Sequence, residues 1–310
     1  MLKKIFLSVV LFFGVTLFLG GCSLQNSVED TKNSEQKIKV AASIFPLYDI
    51  TKEIAGDKID VNLILPPGAS PHTFEVSSSQ IKKLQGVKLF FVIGQNLDAW
   101  VENISSSVSE SQTVDLSLVV ELQQLDENSA NHKPDEDEED ATGYDPHYWL
   151  SPQNVYLMAE EILNQLVLLS PENENYFLGN YNNFVNKLQS KDVEWKEKIG
   201  DLKQKNIVVF HDAWGYFADH FGLTVVGTFE PFPGQEPTPQ YLKELQVAVK
   251  DYNIKALFAE PQLSQDSIKT LAKDLGVDIK VLDPTGGVEG RVSYIEMMDF
   301  NVENIYELLK

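Results

Sequence analysis

Short apolar runs alternate with amphipathic stretches from residue 37 to the C-terminus, and this rhythm restricts the chain to parallel β-sheets covered by helices. Runs at 37–42, 61–65 and 87–93 read as strands. Between them, Pro46 suits the first position of a helix that stops near Gly56, and Ser77 can cap a short helix reaching Gly86. After residue 205 the rhythm resumes, with strands predicted at 207–210, 224–229, 256–259 and 279–282. Helices there should end near Gly222, start at Thr238-Pro239, and run from a Ser264 cap to Gly276. Ile295, Met298, Val302, Ile305 and Leu309 form the apolar stripe of a C-terminal helix.

The two alternating blocks are separated by a different pattern. Ser151-Pro152 and Ser170-Pro171 are both helix starts. After the second, Phe177, Tyr181, Phe184, Leu188, Trp195, Ile199 and Leu202 recur at steps of three, four or seven. A single helix over 172–204 would span about 50 Å, a length suited to joining two lobes. The expected division is an N-terminal α/β lobe at 37–170, a linker helix at 171–204 and a C-terminal α/β lobe at 205–310. A chain of 310 residues is long enough for two such lobes.

The first 36 residues read differently. Lys3 and Lys4 precede an apolar run at 5–19, which is the length of a signal h-region and short of the roughly 20 residues that span a bilayer. Leu19-Gly20-Gly21-Cys22 resembles the lipobox of bacterial lipoproteins. Residues 1–21 are therefore expected to be a signal peptide, Cys22 a lipidated N-terminus anchored in the membrane, and 22–36 a flexible tether. Cys22 is the only cysteine, which excludes an intrachain disulfide and any thiolate metal site. The net charge of −21 argues against nucleic acid as a partner, since phosphate binding needs clustered Lys and Arg. Part of that charge sits in an expected mobile loop at 126–143. There His132, Asp135, Glu136, Asp137, Glu138, Glu139 and Asp140 are either a solvated surface or a device that concentrates cations.

Five histidines are present, and three follow apolar runs or lie in Pro-rich turns. His72 comes after Pro66-Pro67-Gly68, His147 lies in Asp145-Pro146-His147, and His211 directly follows Ile207-Val208-Val209-Phe210. Asp283 holds the corresponding place after Val281-Leu282. Ligands of open α/β sheets bind beyond the carboxyl ends of strands. Three imidazoles and a carboxylate, two from each side of the linker helix, would suit tetrahedral zinc in a cleft between lobes. The residues lie far apart in sequence, unlike any local zinc motif, so a structural role for each histidine stands beside the metal reading.

Longer motifs add a resemblance. Pro71-His72-Thr73-Phe74-Glu75, the segment from Asp145 to Pro152, the segment from Phe210 to Phe217, Gly234-Gln235-Glu236-Pro237-Thr238 and Phe258-Ala259-Glu260-Pro261-Gln262 resemble the zinc/manganese substrate-binding lipoproteins of ABC importers, the cluster A-I type of periplasmic solute-binding protein. The likeness covers 37–310 in order. It implies two lobes joined by one rigid helix, with Zn(2+) as bound cargo held by His72, His147 and His211 in the interlobe cleft. In that family the third ligand is His in zinc members and often Glu in manganese members, so His211 favours zinc. Asp283 is the expected fourth ligand, with water as the alternative. Some zinc members carry Glu a few residues into this loop, where this chain has Gly. Glu260 is expected to orient a ligand histidine or to be a buried structural carboxylate, and His220 to be a packing or surface residue. The resemblance further implies a monomeric carrier, not an enzyme, working outside the cytoplasm with an ABC permease and its ATPase. A manganese-binding member and a zinc hydrolase are the alternatives. No HExxH-type general base supports the hydrolase, and nothing supports an adhesin.

Overall fold

The computed structural model describes residues 37–125, 143–230, 238–262 and 266–310. The predicted signal peptide, Cys22, the tether, the acidic run with His132, Gly234 to Pro237 and Ser264 lie outside the described residues.

The first sheet contains β1 (Ile38–Ala42), β2 (Ile59–Leu63), β3 (Val87–Val92) and β4 (Gln112–Asp115) in the order β2-β1-β3-β4, all parallel. Parallel neighbours need crossovers, and α1 (Phe45–Ala55), α2 (Ser78–Lys83) and α3 (Trp100–Ser105) lie along them. Local chemistry sets the helix ends. Pro46 opens α1, and Gly56 closes it at φ 57°, a conformation that glycine adopts without steric penalty. Ser77 and Gln80 form a reciprocal capping box on α2. Neither α3 nor β4 was anticipated. The helix has only six residues, too few to show a period, and β4 carries polar Gln112 and Thr113 on the edge of the sheet.

Helix α4 (Pro152–Leu169) leads through a 3₁₀ turn at Pro171–Asn173 into α5 (Glu174–Gly200). With 27 residues, α5 is about 40 Å long, shorter than the predicted 172–204. It stops early because the Leu202 N–H bonds to the Ile199 carbonyl at 3.1 Å, tightening the last turn while Leu202 itself is buried.

The second sheet repeats the topology of the first. It contains β5 (Asn206–His211), β6 (Thr224–Glu230), β7 (Ala256–Ala259) and β8 (Asp278–Val281) in the order β6-β5-β7-β8, again parallel. Helices α6 (Gly215–Phe221), α7 (Pro239–Asp251) and α8 (Asp266–Leu275) alternate with these strands. The architecture is therefore α/β, with two parallel sheets flanked by helices and one long helix joining the lobes, as the strand–helix rhythm implied.

The C-terminal helix α9 (Tyr294–Leu309) returns to the first lobe. The Tyr294 N–H donates to Asp49 Oδ2 on α1 at 2.7 Å, and its hydroxyl donates to the Trp149 carbonyl at 2.9 Å. One hydrophobic core runs from Val40 and Ile50 through Phe177, Phe184 and Trp195 of α5 to Ile207, Phe217 and Met298. Each fully buried large apolar side chain contributes about 1.5–3 kcal/mol, so the lobes share their main source of stability.

Candidate metal centre

Both sheets reverse their strand order between the central strands, β1/β3 and β5/β7, and the polar residues of interest cluster beyond carboxyl ends. His211 is the last residue of β5, and Glu260 directly follows β7. His72 sits on a 3₁₀ turn, Pro71–Thr73, in the loop after β2. His147 precedes another 3₁₀ turn, Tyr148–Leu150. Asp145 Oδ1 accepts from both the backbone N–H and Nδ1 of His147, at 2.9 and 2.7 Å. Those two hydrogen bonds hold the ring in place from two residues away.

The three imidazoles meet. Nε2 of His147 lies 3.3 Å from Nε2 of His72 and 3.3 Å from Nε2 of His211. Ligand atoms of the three residues all lie within 4.8 Å of one another. Nitrogens held tetrahedrally at 2.0–2.1 Å from one zinc would be about 3.3–3.4 Å apart. The polar partners select the tautomers. His147 Nδ1–H donates to Asp145, and His211 Nδ1–H donates to Glu260 Oε1 at 2.7 Å. Both Nε2 atoms are then left with lone pairs facing each other. Two acceptors at that distance repel unless a proton or a cation lies between them.

Burial shapes the protonation states. Loss of surrounding water, and then the neighbouring His211, push the His147 pKa well below the ordinary imidazole value. The same causes, with His147 and His211 as neighbours, lower that of His72. His72 as a residue is exposed, but its ring lies 5.3 and 5.5 Å from those of His147 and His211, where protein replaces water. For His211, burial opposes the charge, but Glu260 outweighs it and raises the pKa above its usual value. Burial pushes Asp145 up to about 7, opposed in part by the His147 N–H. Trp214 Nε1 also donates to Glu260, at 3.2 Å. Ser70, Pro71, Trp149, Gln262, Pro284 and Thr285 complete the wall of the cavity.

Asp283 does not join the histidine group. It is fully buried, and its Oδ1 accepts from Gln262 Nε2 at 2.6 Å, Gly286 N at 3.0 Å and Thr285 N at 3.1 Å. Its Oδ2 lies 2.6 Å from Arg291 Nε, an ion pair whose angle falls outside hydrogen-bonding range. Asp283 thereby pins the loop after β8. The adjacent Pro284 carbonyl accepts from Trp149 Nε1 of the other lobe at 2.7 Å. His220 is remote from the cluster: its Nε2 lies 2.6 Å from Asp192 Oδ1 on α5, and its Nδ1 3.3 Å from Ser151 Oγ. The partner that sequence reasoning missed is Asp145. Its signal was an Asp two residues before His147 across a proline, a spacing that favours a side chain folding back on its own turn.

Comparison with known proteins agrees with this geometry. Residues 40–308 match the family described as zinc-uptake complex component A, periplasmic. The chain is 30% identical over 310 residues to the zinc-binding lipoprotein AdcA of Streptococcus pneumoniae, covering 97% of this chain and 60% of the relative. It is 27% identical over 300 residues to the high-affinity zinc uptake system protein ZnuA of Bacillus subtilis, covering 94% of each. The chain thus spans only 56% to 60% of the AdcA relatives it matches, but nearly all of the Bacillus protein. Among solved structures, a zinc-bound variant of AdcAII from Streptococcus pneumoniae superposes with a TM-score of 0.77 at 29% identity, covering 89% of this chain and 100% of that one.

Proposed function

The chain belongs to the zinc-uptake complex component A family, and on that premise we propose that it captures Zn(2+) outside the cytoplasm and delivers it to an ABC permease and its ATPase. The observation that carries this reading is the pair of 3.3 Å Nε2 separations among His72, His147 and His211, close to the edge of a zinc tetrahedron. His72, His147 and His211 hold the ion, water takes the fourth position, and Asp283 keeps the β8 loop in place behind the site. Asp145 and Glu260, each one hydrogen bond from a ligand, balance the two charges of zinc. Glu260 orients His211, and Asp145 orients His147. Imidazole nitrogens suit zinc better than manganese, which prefers more oxygen ligands. The zinc is cargo, and the protein performs no chemistry on it.

Among the described residues no helix is long and apolar enough to cross a membrane. Lipid on Cys22 supplies the membrane anchor, residues 22–36 the tether, and the carrier works as a monomer. The acidic residues from Asp135 to Asp140, with His132, raise the local cation concentration without forming the site.

Competition between the purified chain and a zinc chelator tests the reading. One tight zinc per chain is expected, with manganese much weaker, and His211→Ala should weaken zinc by orders of magnitude in a folded protein. Equal affinity for the two metals, or an unaffected His211→Ala variant, would refute it.

A further inference from the structure

Gln262 stands two residues beyond Glu260 on the segment leaving β7, and it lines the same cavity as His72, His147 and His211. Its Nε2 donates to Asp283 Oδ1 and to Thr285 Oγ1, each at 2.6 Å. This orientation of the amide is the one that chemistry permits, since the reverse would press its oxygen against a carboxylate. Both amide hydrogens are therefore spent on the β8 loop. The remaining polar atom, Oε1, is buried and has no hydrogen-bond partner among the described residues. An acceptor left in that state is unfavourable unless something donates to it. It is also held rigidly. Asp283, which fixes the amide, is clamped by Arg291 and by Asn301, whose side chain accepts from the Asp283 N–H and donates to its carbonyl, both at 2.8 Å.

The three ring nitrogens fill three of four tetrahedral positions. The carboxylates nearby are engaged: Asp145 and Glu260 with ligand rings, Asp283 with Arg291. A water on zinc is a strong donor, and the unsatisfied atom in this wall is a fixed, neutral acceptor. We propose that Gln262 is a positioning residue for the fourth coordination position, its Oε1 accepting a hydrogen bond from the water that completes the zinc shell. This inference rests on the zinc-binding reading above. A neutral acceptor steadies the water without becoming a fourth protein bond to the metal, so the cargo is held by three bonds and stays exchangeable.

The test compares Gln262→Met and Gln262→Glu with wild type in the full chain. Zinc affinity is read by chelator competition, and the visible spectrum is read after loading with cobalt. Methionine removes the acceptor and both donors. Glutamate loses the N–H donor to Thr285 and, protonated on the oxygen facing Asp283, keeps one O–H toward that carboxylate and an oxygen where Oε1 now lies. Gln262→Met should bind zinc about 10–100-fold more weakly and shift the cobalt bands, while Gln262→Glu should stay within about threefold of wild type or bind tighter. Equal losses in both variants would show that Gln262 acts only by bracing the β8 loop and would overturn the proposal, as would an unchanged Gln262→Met. A second measurement needs no variant: azide added to the cobalt-loaded wild type should displace the water and alter the spectrum. An unaltered spectrum means that a protein group fills the fourth position, and it too overturns the proposal. If the wild type binds no zinc, the underlying reading falls first, which separates the two failures.

Discussion

His211 Nδ1 and Glu260 Oε1 are 2.7 Å apart, and adjacent strands put them there. β5 ends in His211 and β7 is followed at once by Glu260, so the spacing between paired strands brings carboxylate and imidazole together without a long loop. A second pair, Asp145 and His147, is made by a turn instead. Two unrelated local structures thus perform the same chemical task, which is to spend Nδ1–H and turn Nε2 inward.

Glu260→Gln keeps an acceptor for His211 but removes the charge that balances the metal. Zinc affinity should fall about 10–100-fold, with the fold retained. Chelator competition measures it, and an affinity equal to wild type would deny Glu260 any part in holding the ion.

His220→Ala should separate stability from binding. It removes the link from α6 to Asp192 on α5 and leaves part of a buried carboxylate unsatisfied, costing about 1–3 kcal/mol. Zinc affinity should not change. Denaturant unfolding and a zinc titration on the same variant check both halves of the statement.

Asp49 gives a pH signature remote from the metal cluster. Burial raises its pKa from 3.8 to about 6, opposed by the hydrogen bond from Tyr294 N. The fold therefore favours the protonated form. That stabilisation is complete below the unfolded pKa and is lost as pH rises through about 6, leaving a buried charge that costs about 2–3 kcal/mol at neutral pH. Asp49→Asn preserves an acceptor for Tyr294. It should raise stability by up to about 2 kcal/mol near pH 7.5, with the gain vanishing near pH 4. Urea unfolding at the two pH values is the check, and a gain independent of pH would contradict it.

Gly287 lies at φ 80°, and a Cβ there would fall 2.9 Å from Phe45 Cδ2 and Cγ. Gly287→Ala should cost about 1–3 kcal/mol through the strained backbone and the overpacked contact. Because Phe45 belongs to the first lobe and Gly287 to the β8 loop, zinc release should also speed up. Thermal melting and stopped-flow chelation measure the two effects.

For Cys22, the expected result of Cys22→Ser is release into the medium or an uncleaved precursor. Retention in the membrane as a mature-sized chain would argue against lipid on this residue.

Much of the fold is local in origin and so was legible in the sequence. Pro46 and Gly56 bracket α1, Ser77 caps α2, and Ala256–Ala259 forms a strand where an apolar run stands. What was not legible depends on contacts between distant segments. β4 is held by its neighbour β3 more than by its own polar residues. For the site, residue type and strand-end position singled out His72, His147, His211 and Asp283 together, but position alone cannot say which way a side chain turns. Arg291, eight residues beyond Asp283 in the loop before α9, draws that carboxylate to itself, and no periodicity in the sequence announces the pair. Gln262 carries no signal in the sequence, because its unsatisfied oxygen exists only once its amide nitrogen has been spent.

The unbroken core that passes from the first sheet through α5 to the second makes the molecule stiff. Tyr294, hydrogen-bonded at once to Asp49 and to the Trp149 carbonyl, adds a cross-brace. Among the described residues, the shared core and this brace oppose a swing of the two halves by many degrees. Occupied and empty forms are therefore expected to differ little in outline, so a partner that tells them apart should read the short loops at the rim of the cleft.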